Sequence, residues 1–453
     1  MKLPAPPVLA ASLLALNSVA FAEEVEFRLE LENGATVLLL PRAECSEVAV
    51  VALFDAGILD EPSGMTQVAQ LTQRLVDQGA IEDFEAGAAA ARLDELGLVA
   101  AETLPYWIHF DAVVPRAALG EVLAIEAARL TSLTFDEYAV RAQAGPCYAA
   151  TDAAEARQGT AMPSQALAAY HQAWRHGAER ALVRGGLEAL ELDAIRAFHR
   201  SAFRPERLTL VIAGGFVPSE AAEAVRAALG ELPGGEPPAP LPSVDWEGLP
   251  ERRVVTWDAS RTAVSLAWPP PATASERRLV SWLAPLVRQR LANDPEVRPL
   301  VEVIESPTYQ WQVGELPLYF HALLRPGVDP EEAEAALRGA AGRFVEGDMP
   351  KGIPGYLALR TENVIKRATR TWEDLEDDAT FSARMNRADP TETLRQMLAQ
   401  LALDRAVAER VLGADLEESV EELTELEREE LADFLRSALA PRRCRATWLV
   451  PAE

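Results

Sequence analysis

The chain has 453 residues, of which 49% are hydrophobic, and its formal net charge is −27. A chain of this length and apolar content has enough residues for two to four domains with large cores, so disorder is not the default expectation. The strong negative charge argues against nucleic acid or an anionic membrane surface as the partner, because both would repel the chain.

Residues 1–22 have the pattern of a secretory signal peptide. Lys2 precedes a mostly apolar run, and the run leads to an Ala-x-Ala cleavage site that ends at Ala22. We expect cleavage after Ala22 and export of the mature chain to a bacterial periplasm. No later apolar run is long enough to span a bilayer, so membrane insertion is not expected.

The mature chain begins with a predicted β-hairpin. Two segments of strand-like pattern, 26–32 and 36–41, flank the dipeptide Asn33-Gly34, which is typical of a tight hairpin turn. A third strand is predicted over 48–54. The three strands would form the start of a sheet.

A helix is predicted after these strands, within residues 61–80. Helical spacing places Gln70, Gln73 and Arg74 on one face, whereas the opposite face is mostly apolar. A neutral amide is a poor zinc ligand, and it cannot act as a general base near neutral pH. Arginine is a permanent cation and repels a divalent metal. Taken alone, the pattern indicates an ordinary amphipathic helix with a solvated polar face.

A repeat is the strongest internal evidence for the architecture. Residues 187–207 and 423–443 agree at nine of 21 aligned positions without a gap. Each copy has the pattern of a helix, a turn containing Pro and then a strand, and the two strands are predicted at 208–213 and 446–450. Two related halves are the simplest explanation of this repeat.

The second half is predicted to open as the first does, with strands over 254–257 and 262–268. A clear helix pattern runs over 331–345, with Pro330 at its start and Asp329 as a plausible cap. Long helical patterns alternate with strands in both halves. The predicted fold class is therefore α+β, with two homologous halves that each form an antiparallel-rich sheet with helices packed on one face.

The predicted domain order follows from these elements. After the signal peptide at 1–22, the N-terminal domain covers 23–232 and the C-terminal domain covers 251–453. Residues 233–250 are rich in Pro and Gly and are predicted to be a linker.

This order of motifs resembles the pitrilysin/insulinase family, the inverted-motif zinc peptidases. The resemblance rests on the N-G-x-x-V hairpin, on the D-A-G…D-E-P run from Asp55 to Pro62, and on the R-P…V-I-A-G-G-F segment from Arg204 to Phe216. It covers nearly the whole mature chain. It implies repeated α+β halves that face each other as a clamshell around an enclosed chamber.

The resemblance also implies that the zinc site is degenerate. Active members carry H-x-x-E-H on the first helix, and here Gln70, Gln73 and Arg74 stand at the His, Glu and His positions. The family's third ligand is a Glu, and the window where it would fall, 148–150, contains no acid. We therefore expect no catalytic, cofactor-binding or metal-ligating residue in this chain.

The favoured hypothesis is a non-catalytic subunit of a two-chain periplasmic zinc peptidase that acts on peptides. Zinc is then expected in an active, paralogous partner subunit. Some inert halves of this family hold the substrate backbone through an Arg and a Tyr. The corresponding stretch here lacks the Gly and Tyr of that motif, but it offers Arg288, Arg290 and Arg298 as candidates for substrate contact.

Two alternatives remain open. One is a stand-alone peptide-binding or assembly protein, and the other is an active metallopeptidase with unconventional ligands, in which His171 or His176 assembles a site with nearby acids. Cys45, Cys147 and Cys444 are too few and too far apart for a disulfide framework, although one bridge could form.

Overall fold

The structure is a computed structural model. It describes residues 26–42, 44–62, 67–104, 106–158, 186–235, 245–257, 261–269, 274–306, 318–346, 389–412 and 428–451, together with five isolated positions. The predicted signal peptide, His171 and His176 lie outside the described residues. No helix in the described part of the chain is both long enough and apolar enough to cross a membrane.

Within the described residues, the first half contains six strands and six α-helices. The strands are β1 (Phe27–Glu30), β2 (Thr36–Pro41), β3 (Glu47–Phe54), β4 (Leu98–Thr103), β5 (Ile108–Pro115) and β6 (Leu208–Gly214). The helices are α1 (Val68–Gln78), α2 (Ala88–Leu96), α3 (Leu119–Thr131), α4 (Glu137–Gln158), α5 (Leu192–Ala202) and α6 (Pro218–Leu229). The strands form one sheet in the order β1-β2-β6-β3-β5-β4, and only β2 and β6 are parallel neighbours.

The second half repeats this topology. Its strands are β7 (Arg252–Trp257), β8 (Ala263–Trp268), β9 (Val301–Glu305), β10 (Leu318–Leu324) and β11 (Arg445–Pro451). Its helices are α7 (Ala274–Asn293), α8 (Pro330–Glu346), α9 (Pro390–Leu412) and α10 (Arg428–Ala438). The sheet order is β7-β11-β8-β10-β9, and again one pair, β7 and β11, is parallel. The α+β class with two homologous halves is confirmed.

The hairpin turn at Asn33-Gly34 and the helix cap at Asp329, both predicted from the sequence, are present in the structure. The turn between β1 and β2 contains Gly34 at φ +91°, a left-handed conformation that glycine adopts without a steric cost. The Asn33 side chain donates to the carbonyl oxygen of Leu229 at 2.6 Å, which ties the hairpin to the end of α6. In the second half, Asp329 caps α8 by accepting a hydrogen bond from the backbone N–H of Glu331 at 2.9 Å.

The first sheet is covered on both faces. Helices of the first half pack on one face, against residues such as Val50 and Phe54. The other face is covered by α9 from the second half, so Val51 and Val211 lie in one apolar cluster with Leu398 and others of that helix. The sequence predicted helices on one face only. It did not predict that a helix of the second half completes the core of the first.

Ion pairs accompany this contact between the halves. Arg395 of α9 donates from Nε to the Glu47 carboxylate at 2.7 Å. Further along the same helix, Arg405 bonds to Glu26, and Glu409 accepts from Arg28 on β1. The charged groups therefore lie at the rim of the apolar contact, where water still reaches them.

The end of the predicted linker is anchored to the second half. Trp246 is buried, and its indole N–H donates to the carbonyl oxygen of Arg443 at 2.7 Å. In return, the Arg445 guanidinium donates to the backbone oxygens of Trp246 at 3.3 Å and Leu249 at 3.1 Å. Residues 245–250 are thus a packed segment, and 236–244 lie outside the described residues.

Candidate functional site

A buried carboxylate fixes the start of α1. Both oxygens of Glu61 are used: one accepts from the backbone N–H of Gln67 at 3.1 Å and the other from that of Ala69 at 3.0 Å. Gln67 has φ +70°, so the chain makes a sharp left-handed turn into the helix. This cap satisfies backbone donors that the first turn of a helix leaves open, and it sets the orientation of the helix face that follows.

The polar face of α1 lines a cavity of about 210 Å³. The cavity lies between α1, α2, α3 and the last two strands of the sheet, β5 and β4. Its polar lining includes Gln73, Arg74, Asp77, Asp111, Glu126 and Arg129. The prediction of a solvated polar face is wrong for Gln73, which is only 8% exposed. Neighbouring helices and strands enclose this face, and the sequence of α1 alone does not show them.

The three degenerate motif positions have different surroundings. Gln70 is half-buried and does not line the cavity. Gln73 is buried and lines it, and its amide makes no hydrogen bond with any described residue. Arg74 also lines the cavity, and its Nε donates to the Gln143 side-chain oxygen on α4 at 3.1 Å.

Opposite these side chains lies a buried ion cluster centred on Arg129. Its guanidinium donates to Glu126 at 2.5 Å and to Asp77 at 3.1 Å, and it lies 4.7 Å from the ring centroid of Phe110. Burial raises the pKa of Glu126, and the positive charge of Arg129 acts against that rise. The arginine thus stabilises two acids that line the same cavity.

Two buried histidines contact residues that line the cavity: His199 bonds to Arg129, and His109 bonds to Asp111. His199 donates from Nε2 to the carbonyl oxygen of Arg129 at 3.2 Å and stacks on Phe203, and burial lowers its pKa to about 4. Burial also acts to lower the pKa of His109. The carboxylates of Asp111, at 2.8 Å, and Glu102, at 3.8 Å, outweigh burial and raise that pKa to about 9. Near neutral pH, His199 is neutral and His109 is a cation.

The cavity does not fit a zinc ion. Its wall contains two guanidinium groups, from Arg74 and Arg129, and a neutral amide where a metal site of this type needs imidazoles and a carboxylate. Within the described part of the chain, no three His, Cys, Asp or Glu side chains are grouped so that they could hold a metal. In the window for the third ligand, the Tyr148 hydroxyl accepts a hydrogen bond from the backbone N–H of Leu187 at 3.1 Å.

The candidate substrate contacts lie elsewhere. Arg288 and Arg290 are on α7, the first half-buried and the second exposed, and Arg298 is exposed in the turn after that helix. None of the three lines the cavity. Cys45, Cys147 and Cys444 form no disulfide with one another, so the single bridge that the sequence left open is absent.

Sequence reasoning missed the ion cluster. Asp77, Asp111, Glu126 and Arg129 come from three elements that are distant in the sequence. The only local signals are the i, i+3 spacing of Glu126 and Arg129 on one helix and the alternate spacing of His109 and Asp111 on one strand. Such spacings are common on surfaces, and only the packing of the three elements makes these residues neighbours.

Comparison with known proteins gives one family match. Residues 189–283 match the family model described as "Peptidase M16 inactive domain". No curated protein matches the chain significantly in sequence. A protease from Helicobacter pylori has a similar structure, with a TM-score of 0.61 and 15% identity over 94% of this chain and 100% of that one.

Two further structures extend this likeness. The peptidase M16 inactive domain from Pseudomonas fluorescens has a TM-score of 0.61 and 15% identity, covering 95% of this chain and 98% of that one. The periplasmic protease PqqL from Escherichia coli has a TM-score of 0.55 and 16% identity, covering 94% of this chain but 48% of that one. The chain thus spans about half the length of PqqL. At these identities the likeness establishes the fold.

The family match and the shared fold give one conclusion. That Gln70, Gln73 and Arg74 stand at the zinc-ligand and base positions of active members stays a prediction from the resemblance. Residues 189–283 match the M16 inactive-domain model, and the chain shares its fold with M16 peptidase structures, so the predicted resemblance to the insulinase/pitrilysin family is confirmed.

Proposed function

We propose that the chain is the non-catalytic subunit of a two-chain periplasmic peptidase of this family, which acts on peptides. The observation that carries the proposal is the cavity beside α1. Arg74 and Arg129 line it, together with the amide of Gln73, at the place where the family's motif would hold zinc.

The chemistry of these side chains supports an inert role. Peptide hydrolysis by a zinc enzyme needs an open metal position and a base that takes a proton from the metal-bound water. Two guanidinium groups would repel the metal ion, and an amide cannot take the proton near neutral pH. In the proposal, a paralogous partner with an intact H-x-x-E-H holds the zinc.

The likeness to half of PqqL supports a partner. PqqL is about twice as long as this chain, which spans 48% of it. A second chain of similar length would make up such an assembly, with this chain as one half of a clamshell. Arg288, Arg290 and Arg298 would be candidates for contact with the peptide in the chamber. In the proposal the assembly lies in the periplasm, because residues 1–22 have the pattern of a signal peptide.

The proposal is tested by affinity purification of the tagged chain, residues 23–453, from the periplasm of its native host, followed by mass spectrometry. We expect a stoichiometric partner that carries H-x-x-E-H, and peptide cleavage by the complex that a chelator abolishes. Recovery without such a partner would favour a stand-alone binding or assembly protein.

Metal content distinguishes the proposed inert subunit from an active metallopeptidase with unconventional ligands. Purified without chelators, the isolated chain is expected to contain essentially no zinc and to cleave no peptide, whereas the complex is expected to contain zinc. Chelator-sensitive cleavage by the isolated chain would contradict the proposal and would favour an active peptidase with unconventional ligands.

A further inference from the structure

We propose that the cavity beside α1 is a binding site for a carboxylate group of a peptide, held by Arg74 and Gln73. This inference goes beyond the inert-subunit role. The residues that it names all belong to this chain, so the isolated chain can be tested.

Gln73 is the first observation that indicates a ligand. The residue is only 8% exposed, it lines the cavity, and its amide makes no hydrogen bond with any described residue. Buried polar groups in folded proteins nearly always have a hydrogen-bond partner, because leaving one unsatisfied costs free energy. An amide can donate to a carboxylate oxygen and also accept from a peptide N–H. A ligand with both groups would satisfy it.

Arg74 is the second observation. Its Nε donates to Gln143, which fixes the plane of the guanidinium, and the terminal nitrogens make no bond with any other described residue. The two nitrogens on one side of an arginine match the two oxygens of a carboxylate, and such bonds are stronger than those between neutral groups. Arg74 is therefore oriented but still able to bind a ligand.

The charges around the cavity favour an anion at Arg74. Asp77 and Glu126 share the guanidinium of Arg129, and Asp111 is paired with His109. The remaining acid in the lining, Asp94, is exposed to solvent on α2. Arg74 is thus the cation in the lining that has no acidic partner among the described residues. The acids nearby disfavour a doubly charged anion such as phosphate, and a singly charged carboxylate fits better.

The carboxylate could come from a chain terminus or from an acidic side chain, and calorimetry distinguishes the two. The isolated chain, residues 23–453, is titrated with three N-acetylated hexapeptides of alanine and leucine. The first ends in a free carboxylate, the second ends in an amide, and the third ends in an amide but contains one glutamate. We expect one of the two charged peptides to bind at least about tenfold more tightly than the neutral peptide.

Variants test whether Arg74 is responsible. Arg74→Gln is expected to remove the preference for the charged peptide. Arg74→Lys is expected to keep a part of it, because lysine keeps the charge but lacks the paired nitrogens that bind both carboxylate oxygens. The matched control is Arg141→Gln. Arg141 is exposed on α4, pairs with Glu137 and does not line the cavity, so the preference should remain.

Circular dichroism of each variant verifies that it is folded. If Arg74→Gln unfolds, Arg74→Lys provides the test. A preference equal to that of the unchanged chain would then contradict binding of the carboxylate by the paired nitrogens of Arg74. Equal affinity for all three peptides would overturn the proposal, and so would a preference that survives in folded Arg74→Gln. Neither result would bear on the inert-subunit role, which partner capture and zinc content test.

Discussion

Glu126 on α3 and Glu334 on α8 lie on corresponding helices of the two halves, and both are buried. Their surroundings differ. Glu126 accepts from one guanidinium that it shares with another acid, and burial raises its pKa. Burial acts in the same direction on Glu334, but bonds from Arg338 at 2.8 Å, Arg252 at 2.8 Å and Trp448 at 2.9 Å outweigh it and lower its pKa.

The comparison indicates that the number of hydrogen-bond donors sets the direction in which the pKa of a buried carboxylate shifts. In the cluster around Glu334, the Arg252 guanidinium also stacks 4.3 Å from the centroid of the Trp448 ring, and none of these residues lines the cavity beside α1. The cluster around Glu126 opens onto the cavity beside α1. The cluster around Glu334 therefore links β7, β11 and α8, whereas the cluster around Glu126 forms part of the wall of a site.

Removing the shared cation of the first half is expected to have the largest effect. Arg129→Met leaves Glu126 and Asp77 beside each other without a counter-charge, which should lower the free energy of unfolding by roughly 3 kcal/mol or more. Urea denaturation measures the change. Arg92→Met on α2 is the control: Arg92 also bonds to an acid, Glu121, but at the surface, so little change is expected. Equal effects of the two variants would contradict the comparison.

The two glutamates themselves can be compared directly. Glu334→Gln removes a charged acceptor from three donors and should cost about 2 kcal/mol of unfolding free energy, whereas Glu126→Gln should cost less, because burial raises the pKa of Glu126 and Arg129 keeps Asp77 as an acidic partner. Both are measured by urea denaturation at the same pH. If Glu126→Gln proved the more costly, the difference in donor number would not explain the two pKa shifts.

The two buried histidines of the first half also differ in their charged neighbours, and they are expected to change the stability of the chain with pH in opposite directions. The pKa of His199 falls to about 4 in the folded chain, so the unfolded chain takes up a proton first as the pH drops below about 6.5, and stability falls from there towards pH 4. The pKa of His109 rises to about 9, so its contribution is complete below about pH 6.5 and is lost as the pH rises through 9.

Single variants separate these contributions. In urea denaturation at a series of pH values, His199→Leu should flatten the acid side of the stability profile, and His109→Gln should flatten the alkaline side, relative to the unchanged chain. A variant whose profile runs parallel to that of the unchanged chain would show that its histidine does not titrate as inferred.

The smallest effect is expected at the contact between the halves. The Arg395–Glu47 pair is partly exposed, so Arg395→Met should lower the unfolding free energy by less than about 1 kcal/mol at low salt. The difference should disappear in about 1 M NaCl, because salt at that concentration screens the attraction between the two exposed charges. A larger loss that salt does not reduce would mean that the alkyl part of Arg395, and not its charge, stabilises the packing of α9.

Much of the fold was accessible from the sequence because it is encoded locally. The hairpin turn at Asn33-Gly34, the cap at Asp329 and the repeated helix, turn and strand each depend on residues close together in the chain. The repeat also predicted corresponding elements, and α5 and α10 indeed occupy matching positions, Leu192–Ala202 and Arg428–Ala438.

The rest depends on contacts between distant segments. The apolar pattern of α9 showed that the helix would be buried, but not that it would be buried against the other half. Likewise, the motif positions on α1 indicated that zinc chemistry is missing, but the burial of Gln73 results from α2, α3, β4 and β5 closing over that face. No spacing within α1 contains that information.

The packing of α9 on the first sheet has a consequence for biosynthesis. All six strands of that sheet have been translated once the ribosome passes Gly214, but the helix that covers its second face begins only at Pro390. Until then, Val51, Val211 and their neighbours form an uncovered apolar surface, which is a site for misassembly with other nascent chains. We therefore expect the newly made first half to need protection of this face, and a product that stops within 236–244 to expose the face permanently.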